Sequence, residues 1–170
     1  MIGDNMRLPI RKGGKYTFIK PDPYLTSAKA EELKKRLERL EKVAQPQAIQ
    51  EVSRLAEMGD FSENAAYQMA KGKLRGINQE IIELREYLNQ AIIIKPSQGG
   101  RVELGSRVEV DMDGQTKSFL ILGSEETNPS EGIISHHSPL GAALLGRQVG
   151  DKINLKLANR WLKICIIKIN

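Results

Sequence analysis

Asp60 and Glu63 are the residues of this chain whose type and spacing best suit chemistry. They lie in the stretch Met58-Gly59-Asp60-Phe61-Ser62-Glu63-Asn64-Ala65-Ala66-Tyr67-Gln68-Met69, with long helix-favouring sequence on both sides. Two carboxylates three residues apart at the start of a helix have two physical readings. One is a capping box, in which Asp60 accepts from free amides of the first turn and Glu63 reaches back to the N-cap amide. The other is a pair of hard oxygens offered to a cation. Magnesium takes one or two protein carboxylates and completes its octahedron with water and phosphate. A fully engaged capping box leaves fewer oxygens for a metal, so the two readings differ in availability. The position favours the second, because reach at the far end of a long rigid arm serves little purpose in an independent globule.

Other candidates are weaker. Lys71, Lys73 and Arg75 follow the acids as a basic cluster, read either as a solvated helix surface or as a phosphate contact. Tyr67 falls on a helical seam, where an aromatic residue packs between helices more often than it stacks a base. His136 and His137 have no carboxylate or cysteine at ligand spacing and read as loop residues. Cys165 reads as a core thiol. No glycine-rich phosphate loop and no Ser-His-Asp order is present.

The elements that must position Asp60 and Glu63 are two helices. Thr26-Ser27 supplies an N-cap, and Leu33, Leu37, Leu40, Ala44, Ala48, Val52 and Leu55 mark one face. Pro46 interrupts this pattern and predicts a kink or break near Gln45. Gly59 suits a left-handed cap closing the first helix, and Asp60 or Ser62 can open the second. Tyr67, Ala70, Leu74, Ile77, Ile81, Leu84 and Leu88 then recur in steps of three and four, a heptad seam. Two seams joined by a short connection pack as an antiparallel hairpin, and from Thr26 to Met58 the arm reaches about 45 Å at 1.5 Å per residue. Gly72 and Gly76 lie inside the second helix at about 1 kcal/mol each relative to alanine.

Beyond Ile92-Ile93-Ile94 and the Lys95–Gly100 linker the period changes. Arg107 to Asp111 alternates, Asp113-Gly114 is a hairpin turn, and Ser118 to Leu122 is the returning strand. A polar loop with Pro129 precedes a short strand, Ile133-Ile134-Ser135. Ser138-Pro139 reads as an N-cap followed by proline at the first helical position. Lys152 to Leu157 and Trp161 to Ile169 complete a small, mostly antiparallel sheet with one short helix. The last strand is apolar on both faces and reads as central. The expected organisation is a basic extension over 1–24, a hairpin over 25–94, a linker over 95–100 and a globular domain over 101–170. The fold class is α+β.

Whole-chain quantities bound the function. At 170 residues and 40% hydrophobic content, one ordinary domain or two small ones fit. No apolar run approaches bilayer length, the N-terminus lacks a secretory signal, and the single cysteine suits a reducing cytoplasm. Two histidines and one cysteine argue against a zinc site of the usual kind. The net charge of +5 admits nucleic acid or an acidic partner without requiring either. Its distribution is more specific: residues 1–24 carry five basic side chains against Asp4 and Asp22, while the stretch between the helices carries only acids.

Gly59-Asp60-Phe61-Ser62-Glu63-Asn64-Ala65-Ala66-Tyr67 resembles the tip motif of the bacterial transcript cleavage factors GreA and GreB. The stretch Ile134-Ser135-His136-His137-Ser138-Pro139-Leu140-Gly141-Ala142-Ala143-Leu144-Leu145-Gly146, followed by Val149-Gly150-Asp151, is similar to that family's C-terminal signature. The resemblance covers residues 25–170. It implies an N-terminal antiparallel coiled coil and an FKBP-like C-terminal domain that docks at the secondary channel of bacterial RNA polymerase, around Ser138 and Pro139. The residues matching the family's acids, Asp60 and Glu63, would help hold the second Mg²⁺ of the polymerase active centre. Lys71, Lys73 and Arg75 match a basic patch facing the extruded 3′ end of the nascent RNA.

The implied function is stimulation of the polymerase's own cleavage of backtracked RNA by a cytoplasmic, monomeric factor that is not itself an enzyme and has no cofactor of its own. Many members carry a further acid where this chain has Ala66. Relatives of the same shape instead block the channel and inhibit. The spacing around Tyr67-Gln68 and Lys73-Leu74-Arg75 is GreB-like, with the subtype left open. A different class, a prolyl isomerase with a helical chaperone arm, would need several aromatics in its pocket, and residues 101–170 offer only Phe119 and Trp161. A purely structural coiled coil would self-associate through its seams.

Overall fold

A computed structural model describes residues 21–58, 65–97, 99–157 and 160–170. Its helical part begins at Thr26, whose side chain accepts from the Lys29 amide and opens α1 (Ser27–Arg39). A π-helical turn over Leu40–Ala44 joins α1 to α2 (Gln45–Glu57). Pro46 therefore disturbs the helix where expected, but as a widened turn instead of a break. The proline lacks an N–H and its ring crowds the preceding turn, while the Gln45 amide bonds back five residues to the Leu40 carbonyl. Such a bulge absorbs the misfit and lets one rod continue through it.

The returning helix, α3 (Ala65–Gln90), packs against both α1 and α2. Every position of the two predicted seams is buried or half-buried, with Leu33, Ala48, Leu55 and Ile81 the most enclosed. Polar ties cross outside the seam. Arg36 Nε donates to Glu80 at 2.8 Å, Arg85 donates to Glu41 at 2.7 and 2.9 Å, and Gln45 donates to Asn78 at 2.8 Å. Exposed pairs of this kind contribute at most about 1 kcal/mol each. Their spacing along the rod opposes sliding of one helix past the other.

The globular part is a five-stranded sheet in the order β5-β4-β3-β7-β6. Its strands are β3 (Arg107–Met112), β4 (Gln115–Leu122), β5 (Ile133–Ser135), β6 (Lys152–Leu157) and β7 (Arg160–Ile169). Pairings are antiparallel except β4 with β5, so the sheet is mixed where a mostly antiparallel one was expected. The long polar loop before β5 causes the exception, because it carries the chain back to the start of a parallel neighbour. Asp113 and Gly114 both have positive φ, 52° and 86°, the conformation a two-residue hairpin turn of the favoured hand requires. One helix, α4 (Pro139–Leu144), closes the inner face over Val108, Val110, Ile121, Leu162, Ile164 and Ile166.

The last strand lies inside the sheet, between β3 and β6, but only one of its faces is covered. Leu162, Ile164 and Ile166 are buried, whereas Trp161 and Ile167 are exposed. Cys165 shares the outer face and is half-buried, so it is not the core thiol expected. Phe119 packs against the core and Trp161 lies outside under the Lys156 ammonium, so these two aromatics do not line one pocket.

The two parts meet through elements too short for a periodic signal. β1 (Tyr24–Leu25) precedes α1, β2 (Ile92–Ile93) follows α3, and the two pair in parallel. Leu25, fully buried, fills the hairpin's base with Ala30 and Leu33 against Leu84, Tyr87 and Leu88. Thr26 donates through its amide and hydroxyl to the Glu126 carboxylate at 2.7 and 2.6 Å, tying the start of α1 to the globular part. Among the described residues no helix is long and apolar enough to cross a membrane.

Three glycines make this packing testable. A Cβ on Gly123 would stand 2.0 Å from the Tyr24 carbonyl oxygen, backbone against backbone. A Cβ added at Gly72 or Gly76 would meet nothing within 4 Å, so close packing does not explain these two. In urea unfolding, Gly123→Ala is expected to destabilise by about 1–3 kcal/mol. Gly72→Ala and Gly76→Ala are each expected to stabilise by about 0.5–1 kcal/mol.

Candidate functional site: hairpin end, basic flank and the Ser138–Pro139 helix start

Asp60 and Glu63 lie outside the described residues, between the end of α2 at Glu57 and the start of α3 at Ala65. The described flanks show what surrounds the motif. Met58 and Met69 expose 68% and 76% of their surface, and Ala65 and Ala66 are exposed. Large apolar side chains left in water at the same end of a hairpin suit contact with a partner. Behind them Leu55, Val52, Tyr67 and Ala70 are at least half-buried and hold the two helices together. Tyr67 therefore belongs to the seam.

The basic cluster divides. Residues two apart on a helix point to opposite sides, while residues four apart share a face. Lys71 and Arg75 accordingly flank one groove with Gly72, Gln68, Leu74 and Asn78, about 470 Å³ in volume. Gly72 leaves that face low between the two cations. Lys73 lies across the helix, beside Glu51, Ala48 and Ile77. Its charge helps to hold the Glu51 carboxyl below the usual range, after the larger effect of the Arg54 hydrogen bond. Lys71 and Arg75 are the pair the fold presents together, and Lys73 faces α2.

Ser138 and Pro139 open α4 as the sequence predicts. The Ser138 hydroxyl accepts from the Gly141 amide at 3.0 Å and donates to the Ser135 carbonyl at 2.7 Å. That hydroxyl is committed within the fold, whereas the Pro139 ring is exposed and available to a partner.

One constellation was not legible in the sequence. Asp22, in the stretch read as a basic extension, is buried beneath the loop before α4. Its carboxylate accepts from the Tyr24 amide at 3.2 Å, and from the Ser124 amide and hydroxyl at 2.8 and 2.9 Å. The His136 Nδ1 stands 3.3 Å away, and His137 stacks obliquely on His136 with ring centroids 3.8 Å apart. Burial pushes the Asp22 pKa up, but the Ser124 and Tyr24 hydrogen bonds and the His136 ring outweigh it, so the carboxyl lies below its ordinary value. The loop histidines thus do have a carboxylate neighbour. Sequence spacing could not show it, because strand pairing at the hairpin's base delivers it.

Comparison with known proteins gives a consistent family. Residues 23–93 match the N-terminal model of transcription elongation factors GreA/GreB, and residues 96–170 match the C-terminal model. A GreA from Nautilia profundicola is 41% identical over 132 residues, covering 75% of this chain and 81% of that protein. A GreA from Chloroflexus aggregans is 37% identical over 150 residues, covering 86% and 96%. The chain belongs to the GreA/GreB family. Among solved structures, the GreA factor homolog 1 (Gfh1) of Thermus thermophilus is 29% identical, covers 88% of this chain and 99% of that one, and gives a TM-score of 0.41. The Gre family models begin at residue 23, so Asp22 and the residues before it lie outside them.

Two substitutions probe how the elements around the Gre motifs are held. Ser138→Ala removes the cap of α4 and is expected to cost about 1 kcal/mol in thermal or urea unfolding. Tyr87 donates to the Asp22 carbonyl at 2.9 Å, and its pKa is pushed up to about 12 by burial and by Glu125, Asp22 and Glu126. The fold accepts the neutral phenol, so this contribution is complete below an ordinary tyrosine pKa of about 10 and is lost as pH rises through about 12. Tyr87→Phe is expected to cost about 1 kcal/mol at neutral pH. In stability-versus-pH curves it should also lose that alkaline component.

Proposed function

We propose that this Gre-family chain enters the secondary channel of RNA polymerase and stimulates the polymerase's own cleavage of backtracked RNA. The observation that carries the reading is the join of a specific motif to a rigid support. The acid pair Asp60 and Glu63 falls between two helices packed along their full length, and the hairpin's base is fixed to the globular part by β1, β2 and buried Asp22. Carboxylate oxygens are the donors magnesium takes, one or two per ion. A Mg²⁺ shared with the polymerase would supply Lewis acidity for phosphodiester hydrolysis. The part of this chain is to bring two negative oxygens to that ion and hold them there. Orientation of this kind is worth several kcal/mol when the support is stiff.

In this reading Lys71 and Arg75 meet phosphates of the extruded RNA 3′ segment, a contact that weakens with salt. Pro139, exposed at the start of α4, contributes to the polymerase contact, while Ser138 shapes the helix behind it. The factor acts as a monomer, in the cytoplasm where the polymerase works. It is a transcription factor that lends side chains and is not itself a nuclease.

The test is a cleavage assay on halted, backtracked complexes across Mg²⁺ concentrations. Asp60→Asn is expected to reduce stimulated cleavage at least 100-fold, about 2.7 kcal/mol of transition-state stabilisation, while polymerase affinity stays within a few-fold. Unchanged cleavage by that variant would remove the role assigned to Asp60. Ala66, exposed where many relatives carry a further acid, favours a second reading in which the chain occupies the channel without promoting cleavage. The same assay separates the two, since that outcome gives slowed elongation with no shortened RNA.

A further inference from the structure

The cluster beneath the loop before α4 is used by neither the hairpin end nor the docking helix. It contains both histidines of the chain. One donor atom from each of Asp22, His136 and His137 can be chosen so that all three lie within 4.8 Å of one another. We propose that Asp22, His136 and His137 form a site for a divalent transition metal of the zinc class, which pins the N-terminal segment to the globular part.

The geometry suits a tetrahedral ion. Zinc bonds of about 2.0–2.1 Å to nitrogen and oxygen give a tetrahedron whose edges are about 3.3 Å. The Asp22 Oδ2 to His136 Nδ1 separation is 3.3 Å, so one edge is already at its required length. A metal entering there replaces the hydrogen between oxygen and nitrogen, with the imidazole proton moving to Nε2 or to solvent. The His136 Nδ1 also lies 3.4 Å from the Leu122 carbonyl oxygen, a weaker contact that the ion would supersede. His137 is exposed and has room to rotate the remaining distance. Water then takes the fourth position on the open side.

Two features go beyond what an Asp–His ion pair requires. His137 has no part in that pair, yet its ring lies against His136 at 3.8 Å between centroids. The Asp22 carboxylate is also held by the Tyr24 amide at Oδ1 and by the Ser124 amide and hydroxyl at Oδ2, the oxygen that faces His136, and the Tyr24 ring meets His136 edge-on. Ligating carboxylates are oriented by outer hydrogen bonds of this kind. The two imidazole donors favour zinc, copper or nickel over magnesium and calcium. The low histidine count argued against such a site from composition. Folding offsets the scarcity by bringing both histidines and a distant aspartate together.

The experiment titrates the full chain with Zn²⁺ by calorimetry at slightly alkaline pH and follows the imidazole resonances by NMR, which report on only two side chains. Co²⁺ absorption is recorded in parallel. One-to-one binding, movement of both imidazole signals and a higher melting temperature with saturating zinc are expected. His137→Ala should weaken zinc binding at least tenfold while melting like the native chain without metal, because that side chain is exposed. Asp60→Asn should bind zinc unchanged. Stoichiometric binding that His137→Ala leaves intact, stationary imidazole signals, or no binding at micromolar zinc would each overturn the assignment. None of these outcomes bears on the cleavage assay, since the two sites share no residue.

Discussion

The buried carboxylate of Asp22 fixes how the two halves of this protein meet. A charge in the interior is tolerated only when its oxygens are met by donors. Here two amides, a hydroxyl and an imidazole nitrogen stand within 3.3 Å of them. The donors come from both sides of the junction, so the charge is satisfied only when the segment before α1 lies on the loop that carries Ser124. Gly123 enforces the same closeness sterically, since its neighbour is the Tyr24 carbonyl. Thr26 and Glu126 repeat the tie one turn further along. Direction is therefore imposed at the base of the hairpin, where polar groups are buried and geometry is strict. At the other end the described flanking side chains Met58, Ala65, Ala66 and Met69 are exposed.

The hairpin has the opposite character. Two helices without a third layer can only half-bury most of their seam, and just four seam positions, Leu33, Ala48, Leu55 and Ile81, are buried. Isolated helices are marginal, so stability must come from this thin apolar strip together with the docked base. The polar ties at Arg36–Glu80, Glu41–Arg85 and Gln45–Asn78 add little energy but are distributed along the rod. The π turn at Leu40–Ala44 carries the helix past Pro46 without a break. A rod of this kind transmits position better than it resists unfolding.

Much of this was legible in the sequence because it depends on period. The steps of three and four from Leu33 and from Tyr67 fall on the buried face, Asp113-Gly114 turns with both residues at positive φ, and Ser138 caps the helix that Pro139 opens. What escaped depends on contacts between distant residues. β1 and β2 are two residues each, too short to alternate, and exist because each supplies the other's hydrogen bonds. Asp22 looked like one acid in a basic stretch until the fold placed Ser124 and His136 against it. Lys73, read in one basic patch with Lys71 and Arg75, is set beside Glu51 by the turn of the helix, which the sequence pattern did not distinguish. Cys165 was expected in the core, but strand alternation buries Ile164 and Ile166 and leaves it on the other face. Asp60 and Glu63 rest on motif alone, since they fall outside the described residues.

This division has a functional logic. A side chain that must act inside another protein's active centre cannot be held by its own core, because that core would have to travel with it. Its precision must instead be carried over a distance by a narrow element whose far end is anchored. The base of this hairpin is where hydrogen-bonded polar side chains concentrate around one buried carboxylate: Asp22, the Ser124 hydroxyl that donates to it, the Thr26 hydroxyl on Glu126 and the Tyr87 hydroxyl on the Asp22 carbonyl. Change there would redirect the acids without touching them. In the proposed reading, the residues that set where Asp60 and Glu63 arrive are Asp22, Ser124 and Glu126, at the opposite end of the rod.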